Sequence, residues 1–222
     1  MKAHSTLHSL LVPALLGTLF FFFAPLTTLA QEEDPRFIAV DVKGKASVYR
    51  DQDDETSRLR KGQKVDDGDK ITTGENCEVV LRLKGRAYLH ISPNSRIRIT
   101  RLGFNDSHVL QIKVNLISGR MLSQLDQPSS FEVTVGEIHF RAHGTLMEVT
   151  KKKETVFLTA YEGGVVATSR GHVEMAKTRQ VMKFDKDRFR FKHYLKMEEE
   201  TRLEEWKSHL AEIREKRPTG KR

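Results

Sequence analysis

The chain has 222 residues with 38 Lys and Arg against 30 Asp and Glu, a formal charge of +8, and a single cysteine. One cysteine excludes an internal disulfide framework, so stability must come from an apolar core, and the length allows one domain of ordinary size with extensions. A basic balance of this size in a cytosolic chain would point to nucleic acid, and the N-terminus argues against that setting.

The first thirty residues stand apart. Lys2 precedes an apolar run from Leu10 to about Phe23, then Pro25, Thr28-Leu29-Ala30, and the polar Gln31-Glu32-Glu33-Asp34. Basic start, apolar middle and small residues before a polar segment is the order of a secretory signal, with cleavage expected after Ala30. An uncleaved anchor is the alternative, because Leu10 to Ala30 is about the ~20 residues needed to span a bilayer. Either way the chain is expected outside the cytoplasm, in the periplasm or N-terminally anchored to the inner membrane. Lys2 is the only charged residue before Gln31, so the processed chain carries 8 − 1 = +7. For an exported protein the partner expected is an envelope protein or an anionic envelope polymer, with no nucleic acid and no membrane contact beyond the signal segment.

From Phe37 to about Phe184 the apolar pattern has a period of two. Val79, Leu81 and Leu83 alternate with Val80 and Arg82; Ala87, Leu89 and Ile91 with Tyr88 and His90; Leu110, Ile112 and Val114 with Gln111 and Lys113. Similar runs cover Ile97–Ile99, Phe131–Val135 and Val156–Ala160, and glycine turns such as Asp67-Gly68-Asp69 and Glu162-Gly163-Gly164 separate them. Alternation of this kind predicts strands buried on one face. About a dozen short strands without an intervening helix predict an all-β sandwich, roll or β-solenoid over residues 31–190. In the segment 191–222 the period changes: Leu203, Trp206, Leu210 and Ile213 are spaced three, four and three, one stripe of an amphipathic helix followed by a basic tail. The stripe either docks on the β domain or meets a partner.

Sharper chemistry does not survive inspection of the spacings. A calcium loop starting at Asp66 would need glycine sixth and glutamate twelfth, where Ile71 and Cys77 stand. Gly62 and Gly68 enclose five residues and Asp69 follows the second, so no phosphate loop is formed. His139 and His143 are four apart in a strand-like segment, roughly 13 Å, too far to share one metal ion. Cys77 is in phase with Val79 and should point inward. No catalytic, metal or cofactor constellation is expected. The candidate binding surface is a basic face made by Arg82, Lys84, Arg86, Arg96, Arg98 and Arg101, on condition that their strands pair.

The segment Leu59 to Ile99 resembles the core of the FecR family. Gly68-Asp69, Ile71, Thr73-Gly74, Gly85 and Pro93-Asn94-Ser95 carry the resemblance, followed by Ile117–Met121, Arg141–Val149 and Tyr161–Ser169. It covers about residues 37–185. The resemblance implies an all-β, extracytoplasmic, non-enzymatic domain; the best-known members are transmembrane sigma-factor regulators that contact an outer-membrane receptor. Only nine residues precede Leu10, which leads to the expectation of a free-standing exported module without an anti-sigma domain. Lys84-Gly85-Arg86 departs from the family's Asp-Gly-Ser. The functional expectations are therefore a non-catalytic envelope binding module, a sensor acting through a separately encoded membrane protein, and, from another class, a cell-wall glycan hydrolase.

Overall fold

A computed structural model describes residues 35–126, 130–142 and 144–215. Among them are seventeen strands and one helix. The strands are β1 (Phe37–Lys43), β2 (Ala46–Arg50), β3 (Glu55–Arg58), β4 (Lys64–Val65), β5 (Lys70–Thr73), β6 (Glu78–Leu83), β7 (Ala87–Ile91), β8 (Arg96–Phe104) and β9 (Leu110–Leu125). They continue as β10 (Ser130–Val135), β11 (Ile138–Ala142), β12 (Leu146–Lys152), β13 (Thr155–Glu162), β14 (Val165–Ser169), β15 (His172–Ala176), β16 (Gln180–Asp185) and β17 (Arg188–Tyr194). The helix α1 is Met197–Glu215.

Two ladders run side by side. Sheet A has the order β4-β1-β6-β7-β9-β12-β13-β16-β17. Sheet B has the order β3-β2-β5-β8-β9-β10-β11-β14-β15. Every pairing is antiparallel except β9 with β10. The sixteen-residue β9 belongs to both: its first half pairs with β8 and β10, its second with β7 and β12. The sheet is therefore continuous, folded into two layers, and not closed.

The inward phase of both layers forms one core, in which Val48, Ile71, Leu81, Leu89, Ile97, Val114, Val133 and Leu158 are fully buried. Cys77 is free, buried among them, and burial pushes its thiol up. The alternation read at Val79–Leu83, Ala87–Ile91, Ile97–Ile99, Leu110–Val114, Phe131–Val135 and Val156–Ala160 thus marks the inward face of those strands.

The corner at which β9 changes layer is built from short polar residues. Ser95 Oγ accepts from Arg120 N at 2.9 Å, and Thr73 Oγ1 accepts from Ser95 N at 2.9 Å while donating to Ser92 O at 2.7 Å. Gly119 sits in this corner at φ +88°, where any Cβ would strike Ser95. Asp69 is nearly fully buried; it accepts from Asp66 N at 3.0 Å and from Arg50 at 3.3 Å, closing the turn between β4 and β5. Asp66 and Asp69 are further engaged in ion pairs with Arg36 and Arg50.

The helix is a second layer on the outer face of sheet A. Leu203, Trp206 and Leu210 are buried in a separate apolar cluster with Val80, Tyr88, Leu122, Leu146 and Tyr161; Val40, Leu195 and Ile213 flank it. Glu199 Oε2 accepts from Lys196 N at 2.6 Å and caps the first turn, and Glu198, Glu199 and Glu200 face the positive end of the helix dipole. The boundary expected near residue 190 is displaced: strand structure runs to Tyr194 and the helix starts at Met197. The signal segment (1–30), the basic tail beyond Glu215, and His143 lie outside the described residues. No helix among the described residues is long and apolar enough to cross a membrane.

Candidate binding site

The basic face expected from the sequence does not form, because its condition fails. β6 and β8 are not neighbours: β6 pairs with β1 and β7 in sheet A, and β8 with β5 and β9 in sheet B. Arg82 points to the outer face of sheet A, beside His209, Glu212 and Ile213 of the helix. Lys84 and Arg86 are in the turn between β6 and β7, with Arg86 5.3 Å above the Phe104 ring. Arg96, Arg98 and Arg101 share the outer face of sheet B, where Arg98 is committed to Asp51 at 2.6 Å and to Gly68 O at 3.1 Å. A period-two pattern assigns a residue to one face of its strand and says nothing about the layer its strand joins.

The helix stripe is also not free. Leu203, Trp206 and Leu210 retain between 3% and 7% of their exposure, so the residues considered as a partner contact fill the interface with sheet A. His90 of β7 stacks on Trp206 at 4.9 Å and 15°. His209 lies 3.3 Å from Asp41, and His90 3.8 Å from Glu78. The bond and charge of His90 hold the Glu78 carboxyl down, to about 2. Burial pushes the His209 imidazole down, helped by Lys43 and opposed by Asp41.

What the structure does bring together is a groove of about 700 Å³ at the N-terminal end of the helix. Its floor is the outward phase of β12, β13 and β16, through Glu148, Thr150, Phe157, Thr159 and Val181; the β9 corner supplies Arg120, and the helix supplies Glu199 and Arg202. Glu148 is 6% exposed. Burial raises its pKa against the opposing charges of Arg120 and Arg202, whose guanidinium is 3.7 Å away. Arg120 Nε donates to Ser92 Oγ at 2.9 Å. Tyr161, beside Arg202, is buried, and burial raises its pKa. A buried carboxylate set between two arginines is a counter-ion that fixes the helix against β12 and β9. It leaves Lys151, Lys152 and Phe157 as the groove's accessible chemistry. Among the described residues no group of three His, Cys, Asp or Glu is placed to hold a metal ion. His139 instead meets Glu132 at 2.9 Å.

The residues that carry the family resemblance now have positions. Gly68-Asp69, Thr73-Gly74 and Pro93-Asn94-Ser95 build the β4–β5 turn and the β9 corner, and residues 69–166 match the family model described as FecR protein. That stretch is similar to the FecR family. The match runs from β5 through β14 and so draws on both layers. Two crystal structures of a "putative anti-sigma factor" from Parabacteroides distasonis ATCC 8503 share the fold, each with a TM-score of 0.51 at 12% identity. The alignments cover 60% of this chain and 62% and 63% of theirs, so this chain spans less than two thirds of either. No curated protein matches the sequence.

Sequence reasoning missed the richest basic region. Lys151 and Lys152 end β12 and Lys153 opens the turn to β13, and Arg188-Phe189-Arg190-Phe191-Lys192-His193-Tyr194 is β17. The signal was present as a lysine triplet and a cation–aromatic alternation.

Proposed function

We propose that this protein is a regulatory component of a signalling system outside the cytoplasm, working by contact with another protein rather than by chemistry on a substrate. The observation that carries the reading is the FecR match over residues 69–166, laid on a sandwich whose interior is filled by side chains. The name given to the Parabacteroides proteins points the same way. Relay through a separately encoded membrane protein is part of this reading. Export through the first thirty residues belongs to the same proposal. In the groove, Glu148 is balanced by Arg120 and Arg202, an arrangement that suits structure better than proton transfer.

The test is deletion of the gene in its native host followed by transcript profiling. The reading expects a defined set of transcripts to change and to recover when the wild-type gene is restored. Unchanged transcripts, with a cell-wall or polymer phenotype in their place, would overturn it.

A further inference from the structure

The two layers end in four edge strands, and the two ends of the sandwich differ. At one end the edges are β4, two residues long, and β3, whose sequence Glu-Thr-Ser-Arg is polar throughout. Short and charged edges resist pairing with other chains. At the other end the edges are β15 and β17. Of the five large apolar side chains exposed among the described residues, four are on these two strands: Val173 and Met175, and Phe191 and Tyr194. Exposed apolar residues gathered on open edges mark a contact surface.

β17 is the better-provided of the two. It pairs only with β16, so the backbone groups along its other side have no strand partner among the described residues. A bulge at Arg190 breaks the register between Phe189 and Phe191, after which Phe191 to Tyr194 run regularly opposite Lys183 to Gln180. The hairpin from Gln180 to Lys196 holds six Lys or Arg and two Asp, 6 − 2 = +4. The β12–β13 turn, with Lys153 in it and Lys151 and Lys152 at the end of β12, abuts it, with Lys186 N donating to Glu154 O at 3.1 Å. Arg188 and Lys183 have no carboxylate partner among the described residues. Lys183 instead sits 5.6 Å above the Phe191 ring and 5.9 Å above Phe157, which lines the groove.

This charge selects the occupant. Arg190 meets Asp185 at 3.5 Å and Lys192 meets Glu174 at 3.2 Å, but a second copy pairing through β17 would still bring two hairpins of +4 together, and like charges across a ladder are destabilising. An acidic strand meets the opposite situation, and backbone pairing supplies affinity while side chains supply choice. We propose that β17 is the docking edge for an extended acidic segment of a partner protein, added to sheet A with a carboxylate at Arg188 and apolar side chains beside Phe191 and Tyr194. The inference rests on the reading that the protein works through protein contact.

The purified full chain is titrated with three labelled decapeptides: alternating Glu-Val, alternating Lys-Val, and alternating Glu-Pro, which keeps the charge and removes half the backbone donors. Fluorescence anisotropy gives affinity, and hydrogen exchange gives location. The expected result is saturable binding of Glu-Val with new amide protection in β17, and affinity about tenfold or more weaker for the other two peptides. Arg188→Glu with Arg190→Glu loses binding, while Arg58→Glu on β3 retains it. Equal binding of Glu-Pro would show an anion site without strand addition. Protection away from β17, or self-association through β17 in sedimentation, would equally overturn the inference. These outcomes separate from the functional reading: a peptide-negative protein whose deletion still shifts transcripts refutes only the edge. A peptide-binding protein with unchanged transcripts refutes the regulatory role.

Discussion

Gly119 bends β9 out of one layer and into the other at φ +88°, with Ser95 pressed against the place a side chain would take. Gly119→Ala is expected to lower stability by about 2–4 kcal/mol, through backbone strain and collision together. Gly103, on β8 with ordinary φ and open space around it, is the control; Gly103→Ala should stay within about 0.5 kcal/mol. Chemical denaturation of both variants checks the pair, and equal effects would remove the corner from the account. Ser95 belongs to the same corner, where its hydroxyl satisfies a backbone N–H that would otherwise be buried alone. The Pro-Asn-Ser and Thr-Gly motifs could be read in the sequence as identifiers. That they form a corner could not, because a motif names the residues and only the register of β8 and β9 brings residue 95 to residue 119.

The helix shows what an element-level pattern contains and omits. Its stripe at Leu203, Trp206, Leu210 and Ile213 was legible from spacing, but the matching surface of Val80, Tyr88, Leu122, Leu146 and Tyr161 was not, because the alternation was read as strands buried on one face only. Strands apolar on both phases need a cover on both faces. Trp206→Ala should cost about 3–5 kcal/mol as a large side chain leaves the second core. Urea unfolding measures this, and a cost under ~1 kcal/mol would mean that the helix does not bear on stability.

The docked helix should also respond to pH. His209 faces Asp41 and Lys43 of β1, Glu78 of β6 and His90 of β7, with Trp206 and Glu212 beside it on its own helix. Burial depresses its pKa. Below the ordinary histidine value of about 6.5 the unfolded chain takes up a proton before the folded one, so stability falls as pH drops through that window. Glu78, held at about 2, stays ionised throughout; its own contribution, present above the ordinary value of about 4.3, is lost only as pH falls towards 2. The single tryptophan, Trp206, reports the event by fluorescence. Unfolding midpoints should drop between pH 7.5 and 5.5, and His209→Gln should flatten the slope; an unchanged slope would assign the effect elsewhere.

Across the whole molecule, strand positions were readable and the assignment of strands to layers was not. Arg82 and Arg96 look equivalent in a period-two reading, yet the chain crosses between sheets at Ser92–Ser95 and sends them to opposite faces. β17 escaped notice because Arg and Phe alternate there beside the expected end of the β domain, where neither face is strongly apolar. The account that results is a two-layer β fold similar to FecR over residues 69–166, its helix packed in cis, with the proposal that its basic, aromatic edge meets another protein. A photo-cross-linking amino acid placed at residue 190 on β17, compared with one at residue 58 on β3 in intact cells of the native host, tests this most directly. The account predicts a discrete polypeptide adduct from residue 190 and none from residue 58. An adduct from residue 58 alone, or none from either, would contradict it.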